Sequence, residues 1–148
     1  MRKQAYTVIA MFVLFGSMAL VAQAQTSGGT RLIARIPFEF SVGDKTLPAG
    51  EYTVLSVNAD SSNVVLRIQS QHGKASAMVR MMTVTGTAQE SAKLIFHRYG
   101  NQYFFAAAWV DGDTYGLQAQ SPRAERALQH DLAGIKMTTE SVALGSRR

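Results

Sequence analysis

From Leu32 the chain alternates apolar and polar residues with a period of two. Leu32, Ala34, Ile36, Phe38, Phe40 and Val42 share one side, and Ile33, Arg35, Pro37, Glu39 and Ser41 share the other. Alternation over this length predicts a half-buried strand. Pro37 has no N–H for a ladder, so the strand is expected at an edge or with a bulge there. Gly43-Asp44-Lys45 turns the chain, and Pro48-Ala49-Gly50 reads as a tight turn with Gly50 at positive φ. Residues 51–57 form a second strand, and the polar cluster 58–63 turns again. A third strand sets Val64, Leu66 and Ile68 on one face; a fourth sets Ala77, Val79 and Met81 against Met78, Arg80, Met82 and Val84.

The stretch from Lys93 to Val110 predicts the hairpin around which the rest packs. Gly100-Asn101 is a two-residue turn signal. Counting back from it, Tyr99 opposes Gln102, Arg98 opposes Tyr103, His97 opposes Phe104, Phe96 opposes Phe105 and Leu94 opposes Ala107. Both faces then carry apolar groups, which suits central strands. Asp111-Gly112-Asp113 is the next turn, and Tyr115, Leu117 and Ala119 alternate in a short last strand.

A helix is expected from Ser121, with Ser121 capping, Pro122 at N1 and a packed stripe of Ala124, Ala127 and Leu128. Residues 130–148 read as a tail that either holds one weak strand over residues 135–142 or is disordered. About seven short strands between turn signals indicate an all-β, single-domain antiparallel sandwich or small barrel with one short C-terminal helix. The domain spans residues 32–129.

Residues 1–24 stand apart from this pattern. Arg2 and Lys3 precede an apolar run that ends in Ala22-Gln23-Ala24. This reads as a secretory signal cut between Ala24 and Gln25, followed by a flexible linker over residues 25–31. The apolar run is short of the ~20 residues a spanning helix needs. A secreted or periplasmic chain with no stable membrane anchor after cleavage is therefore expected. The chain has 148 residues and no Cys. The portion beyond Ala24 is long enough to bury about two-thirds of its unfolded surface without disulfides. The formal charge is +5, but Arg2, Lys3, Arg147 and Arg148 all lie at the termini. No basic stripe remains on the domain, and nucleic acid is not an expected partner.

The search for chemistry returns little. His72, His97 and His130 are not spaced as metal ligands, and Asp111 and Asp113 fall short of a calcium loop. There is no nucleophile elbow and no phosphate loop. Glu39, Glu51, Glu90, Glu125 and Glu140 read as solvated, and His97 as a cross-strand partner of Phe104. No catalytic, cofactor or metal residue is assigned. Tyr99, Tyr103 and Trp109 are the candidate ligand-contact aromatics, able to stack on a sugar or a partner.

Three stretches are familiar in combination: IPFEFSVGDKTLPAGEYTV (from Ile36), LIFHRYGNQYFFAAAWV (from Leu94) and SPRAERAL (from Ser121). They resemble a family of small secreted proteins of soil bacteria with Pro-Phe-x-Phe, Leu-Pro-Ala-Gly-x-Tyr and Phe-x-Arg-Tyr-Gly motifs. The closing segment departs from the family pattern at Pro122. The resemblance implies export and a common fold, and carries over no catalytic residue. The expectation is an exported, non-enzymatic β domain with a binding or structural envelope role. The alternatives are a glycan- or peptide-binding module, a small-barrel carrier of an apolar ligand, and a hydrolase with a dispersed site. The partner is an unidentified protein, glycan or apolar ligand.

Overall fold

The computed structural model describes residues 31–58, 63–131, 134 and 136–146. The expected cleavage site at Ala24 and Gln25, and most of the linker, lie outside these residues. Ten strands are described: β1 (Leu32–Ile36), β2 (Phe40–Val42), β3 (Lys45–Leu47), β4 (Gly50–Ser56), β5 (Val64–Ser70), β6 (Ser76–Thr85), β7 (Lys93–Tyr99), β8 (Gln102–Trp109), β9 (Tyr115–Ala119) and β10 (Thr138–Ser146). One helix, α1 (Arg123–Asp131), lies between β9 and β10. Eight strands close into an antiparallel barrel in the order β8-β7-β10-β1-β4-β5-β6-β9 and back to β8. The choice between sandwich and barrel is thus settled for the barrel.

Closure comes from the strand expected to be weakest. β10 pairs with β7 on one side and β1 on the other. Thr138–Ser146 is therefore wall: of the two alternatives for this stretch, a weak strand or disorder, the strand is formed, and it runs on to Ser146 rather than stopping at residue 142. Its inner positions are Glu140, Val142 and Leu144, opposite Phe96, Leu94 and Ala34. A polar residue among the inner three blurs the alternation that marks the other strands.

The first expected strand is two strands. The ladder of β1 stops at Ile36, and Pro37 ends it rather than marking an edge or bulge within it. β1 and β4 are neighbours, yet residues 37–49 make a long excursion between them. That excursion folds over the upper end of the barrel, the end where β7 gives way to β8. β2 touches β8 in parallel at Ser41–Phe104, and β3 lies beside β2. Phe40, Val42 and Leu47 are buried beneath it. The period-two pattern survives the break because the inner side of β2 still faces the core. Gly50 opens β4 and is not at positive φ; the described glycines there are Gly43, Gly100 and Gly112.

The upper core is aromatic. Phe96 is fully buried and meets Phe38, Phe40 and Phe105 edge-on at 5.2, 5.4 and 5.8 Å. Phe40 also meets Tyr52 at 5.2 Å. Tyr52 donates its buried hydroxyl to the Pro48 carbonyl, which ties the returning excursion to the wall. Each fully buried ring contributes about 1.5–3 kcal/mol of transfer free energy. Ile36, Ile68 and Met81 fill the space between them.

The hairpin register holds from Tyr99–Gln102 to Phe96–Phe105 and then slips. Ile95 pairs with Ala107 and Leu94 with Ala108, leaving Ala106 as the unpaired extra residue of a bulge. Past the bulge Trp109 turns outward, and Ala108 takes the inner position expected of Ala107.

Candidate functional site

The two ends of the barrel are built differently. The upper end is closed by residues 37–49. Tyr103 stacks there on Phe38, with centroids 3.9 Å apart and planes 11° apart, and Arg98 sits 5.4 Å from the Tyr103 centroid. Arg98 also pairs with Glu140 at 3.2 Å.

The lower end is where β4 and β8 finish and β5 and β9 begin. Tyr52 and Val54 point inward on β4, so Ser56 points inward as well. By the same parity Thr83 and Thr85 on β6, and Tyr115 and Leu117 on β9, turn toward the barrel axis. Thr83, Thr85 and Tyr115 are nevertheless exposed. Val57, Val110 and Tyr115 stand on this rim with 57, 50 and 57% of their surface exposed. The core just below the rim is aliphatic: Leu32, Val54, Val64, Leu66, Leu94 and Leu117. Ser56 Oγ is buried among them without a hydrogen-bond partner, alone in this among the described residues. An unpaired buried hydroxyl costs about 1–3 kcal/mol.

The candidate aromatics do not assemble. Tyr99 is buried on the outer face of β7, Tyr103 lies inward at the upper end, and Trp109 lies outward at the lower end. Trp109 lies across its cross-strand partner Gly116, where a Cβ would meet the ring at 2.7 Å, and reaches Gly86. It shields a bare stretch of backbone and is not a free stacking surface. The three share no platform.

A polar cluster missed in the sequence lies under α1. The helix carries the chain from β9 past the hairpin to β10, and so crosses the outer face of β7 and β8. Its first bond runs from Arg126 N–H to the Pro122 carbonyl, so Pro122 rather than Ser121 is the cap residue. Ala124 and Ala127 are exposed; the helix instead turns Glu125 and half-buried Leu128 inward. Glu125 is 1% exposed, which corrects its reading as a solvated carboxylate. Its Oε1 accepts from the Tyr99 hydroxyl at 3.0 Å and from His97 Nδ1 at 2.6 Å. Gln129 Nε2 donates to the Tyr99 oxygen at 2.8 Å. His97 does face Phe104 as expected, and Glu125 is its second partner. Burial pushes the Tyr99 hydroxyl above the ordinary tyrosine pKa of 10.0; the Gln129 bond opposes this and Glu125 adds to it. These groups answer one another. The arrangement docks a helix and offers no nucleophile to a substrate. Among the described residues no group of three or more His, Asp or Glu is placed to hold a metal.

Two depressions lie on the upper half. One of about 540 Å3 runs between the Gly43–Lys45 turn and the outer side of β6, with Met78, Arg80 and Met82 along it. The other, about 260 Å3, lies beside Glu39, Thr46 and Gln102. The charged groups of the first, Asp44, Lys45 and Arg80, are exposed side chains, and the second has Glu39 as its charged group. No described helix is long and apolar enough to cross a membrane. No family model, curated protein or solved structure matches the chain.

Proposed function

We propose that this chain is an exported, non-enzymatic binding domain, and that its barrel takes a small apolar molecule at the lower end, inside the exposed apolar rim. The observation that carries the reading is the difference between the two ends. Ring side chains of the chain itself occupy the upper end under a folded excursion. At the lower end an apolar rim of Val57, Val110 and Tyr115 is exposed above an aliphatic core. Small barrels of eight strands have an interior wide enough either to be filled by side chains or to hold one small ligand. In this barrel rings fill the upper half, and the carrier reading is supported by the eight-stranded fold and by the exposed apolar rim below.

Export rests on the Arg2-Lys3 and Ala22-Gln23-Ala24 pattern, and so does a secreted or periplasmic location. Membership of the soil-bacterial family rests on the Pro-Phe-x-Phe, Leu-Pro-Ala-Gly-x-Tyr and Phe-x-Arg-Tyr-Gly motifs. The glycan-binding alternative loses its support with the scattering of Tyr99, Tyr103 and Trp109.

The test has two parts. The full chain, expressed with its leader in a bacterial host, is recovered from the soluble exported fraction and its N-terminus sequenced; Gln25 is the expected first residue. The purified protein is then titrated with the neutral fluorescent probe N-phenyl-1-naphthylamine. Saturable one-to-one binding is expected. A folded protein that leaves the probe's emission unchanged overturns the binding reading, and an intact N-terminus overturns the cleavage reading.

A further inference from the structure

We infer that the open edge of β6 over Ser76–Arg80 is a docking site for an extended, acidic segment of a partner protein, which joins the sheet as an added strand. The site is separate from the lower rim and does not depend on the binding reading given above. β6 pairs with β5 along Ser76–Met81, but with β9 only from Met81 to Thr85. β9 leaves the ladder after Ala119, and Ser121 and Pro122 lead the chain off to α1. The upper half of β6 therefore has a strand on one side and, among the described strands, no ladder on the other. Backbone alternation fixes which groups face the open side. Gly86 N–H bonds the Thr114 carbonyl on the β9 side, whereas the Ala75 carbonyl accepts from Ser70 N–H on the β5 side. Counting by twos, Ser76, Met78 and Arg80 turn N–H and C=O toward the open side. The Ser76 carbonyl agrees with this count, since it accepts from Lys45 Nζ across the gap at 3.4 Å. That contact is long and exposed, so it gives way readily to an incoming strand.

The depression of about 540 Å3 lies along this edge. Val42, Ala77 and Val79 form its inner side, Met78 and Met82 its outer lip, each 58% exposed, and the turn between β2 and β3 bounds it opposite. A row of backbone donors and acceptors calls for another backbone: strand addition draws affinity from main-chain bonds and specificity from alternate side chains. A segment of about five residues, roughly 17 Å, spans the open stretch. Running in line with β9, it would set every second side chain against Val42 and Val79 and the others outward beside Arg80. Of the charged groups lining the depression, Lys45 and Arg80 are cations and Asp44 is the carboxylate. Exposed Arg67 stands opposite Met78 on β5 and adds a third cation. Outward acidic residues on the incoming segment complement this balance.

The experiment follows backbone amide exchange by NMR in the full purified, isotope-labelled protein, titrated with the acetylated and amidated peptide Thr-Val-Glu-Val-Glu-Val-Thr. Without peptide, the Met78 amide is expected to exchange faster than the Val79 amide, which faces β5. Saturable binding that protects the Met78 amide is expected. Met78→Pro deletes the open donor and spares the β5 ladder, a placement that a strand edge tolerates. It should weaken the peptide about 3- to 10-fold, the ratio one net hydrogen bond provides. Arg80→Glu, a surface change that leaves the backbone untouched, should weaken it about 2- to 5-fold and favour Thr-Val-Lys-Val-Lys-Val-Thr instead. A Met78 amide as slow as that of Val79 in the free protein at every concentration overturns the open edge. No protection of Met78 by the peptide, or equal affinity in the parent and a folded Met78→Pro, overturns strand addition. Protection that rises with protein concentration, alongside a dimer in sedimentation, assigns the edge to a second copy and overturns the partner segment. Equal or tighter binding of the lysine peptide by the parent overturns the acidic preference.

Discussion

Replacing Glu125 by Ala is the sharpest probe of how α1 is held. The helix shows alanines to solvent and turns few apolar groups inward, so its docking depends on the carboxylate. Glu125 accepts two bonds, from Tyr99 and from His97, and is almost wholly buried. Hydrogen bonds to a charged group contribute about 1.5–3 kcal/mol each. Against this stands the desolvation of the carboxylate, which its removal relieves. Tyr99 keeps Gln129 as a partner. The net loss expected is about 2–4 kcal/mol, the low side of what breaking a buried pair costs. For a domain near this size that is roughly 8–15 °C in Tm. Glu125→Gln keeps an acceptor and should lose about half as much. Urea unfolding followed by far-UV circular dichroism measures the change. The fluorescence of Trp109, the chain's single tryptophan, reports the barrel wall at the opposite end. If α1 detaches alone, the circular dichroism transition moves ahead of the fluorescence transition in Glu125→Ala. A midpoint within 0.3 M urea of the parent by both probes, roughly what 0.5 kcal/mol produces at an ordinary m value, would show that the carboxylate does not hold the helix.

Other contacts give further expected outcomes. Phe96→Ala removes the ring that three other rings meet, and should cost about 3–5 kcal/mol in chemical denaturation. Gly116→Ala places a methyl where the Trp109 ring lies; the indole should swing into solvent, with red-shifted emission and a loss of about 1–3 kcal/mol. Burial raises the pKa of Tyr52 and of Tyr99 above 10.0, so the folded state holds protons that the unfolded state releases. Their contribution is whole below pH 10 and is lost as pH climbs through the folded values. Urea midpoints should fall from pH 9.5 to 11, and less steeply in Tyr99→Phe; a flat profile refutes this. Ending the chain after Met137 removes β10 and leaves β7 and β1 without their shared neighbour. That variant should show no cooperative thermal transition by circular dichroism.

The sequence displays what repeats locally and conceals what depends on distant partners. The inner faces of β5 and β6 are legible because Val64, Leu66 and Ile68, and then Ala77, Val79 and Met81, alternate with neighbours such as Arg67, Gln69, Met78 and Arg80. The hairpin register is legible down to Phe96–Phe105 because Gly100-Asn101 fixes its origin. It is lost at Ala106-Ala107-Ala108, where three identical side chains say nothing about which one bulges. Glu125 reads as solvated because its burial depends on Tyr99 and His97, 26 and 28 residues away. β10 reads as weak because Glu140 occupies an inward position beside Arg98. The Ser56 hydroxyl gives no signal at all, since only barrel closure makes it interior. The proposed ligand-contact residues show the same division: Tyr99, Tyr103 and Trp109 are visible by type, and their separation into three places is not.

The position of β10 sets an order of events for the living chain. Its residues are the last of those described, and they sit beside the first of the ordered strands. Contacts between such distant segments form slowly, because a long stretch of polypeptide must be brought together before they reward it. A chain emerging residue by residue from a ribosome has no complete ring until β10, which ends at Ser146, has appeared. Until then β1 and β7 offer bare hydrogen-bonding edges to any neighbouring molecule. Premature folding is thereby discouraged during synthesis, and the cost is a window of stickiness that ends only when the final strand slots home.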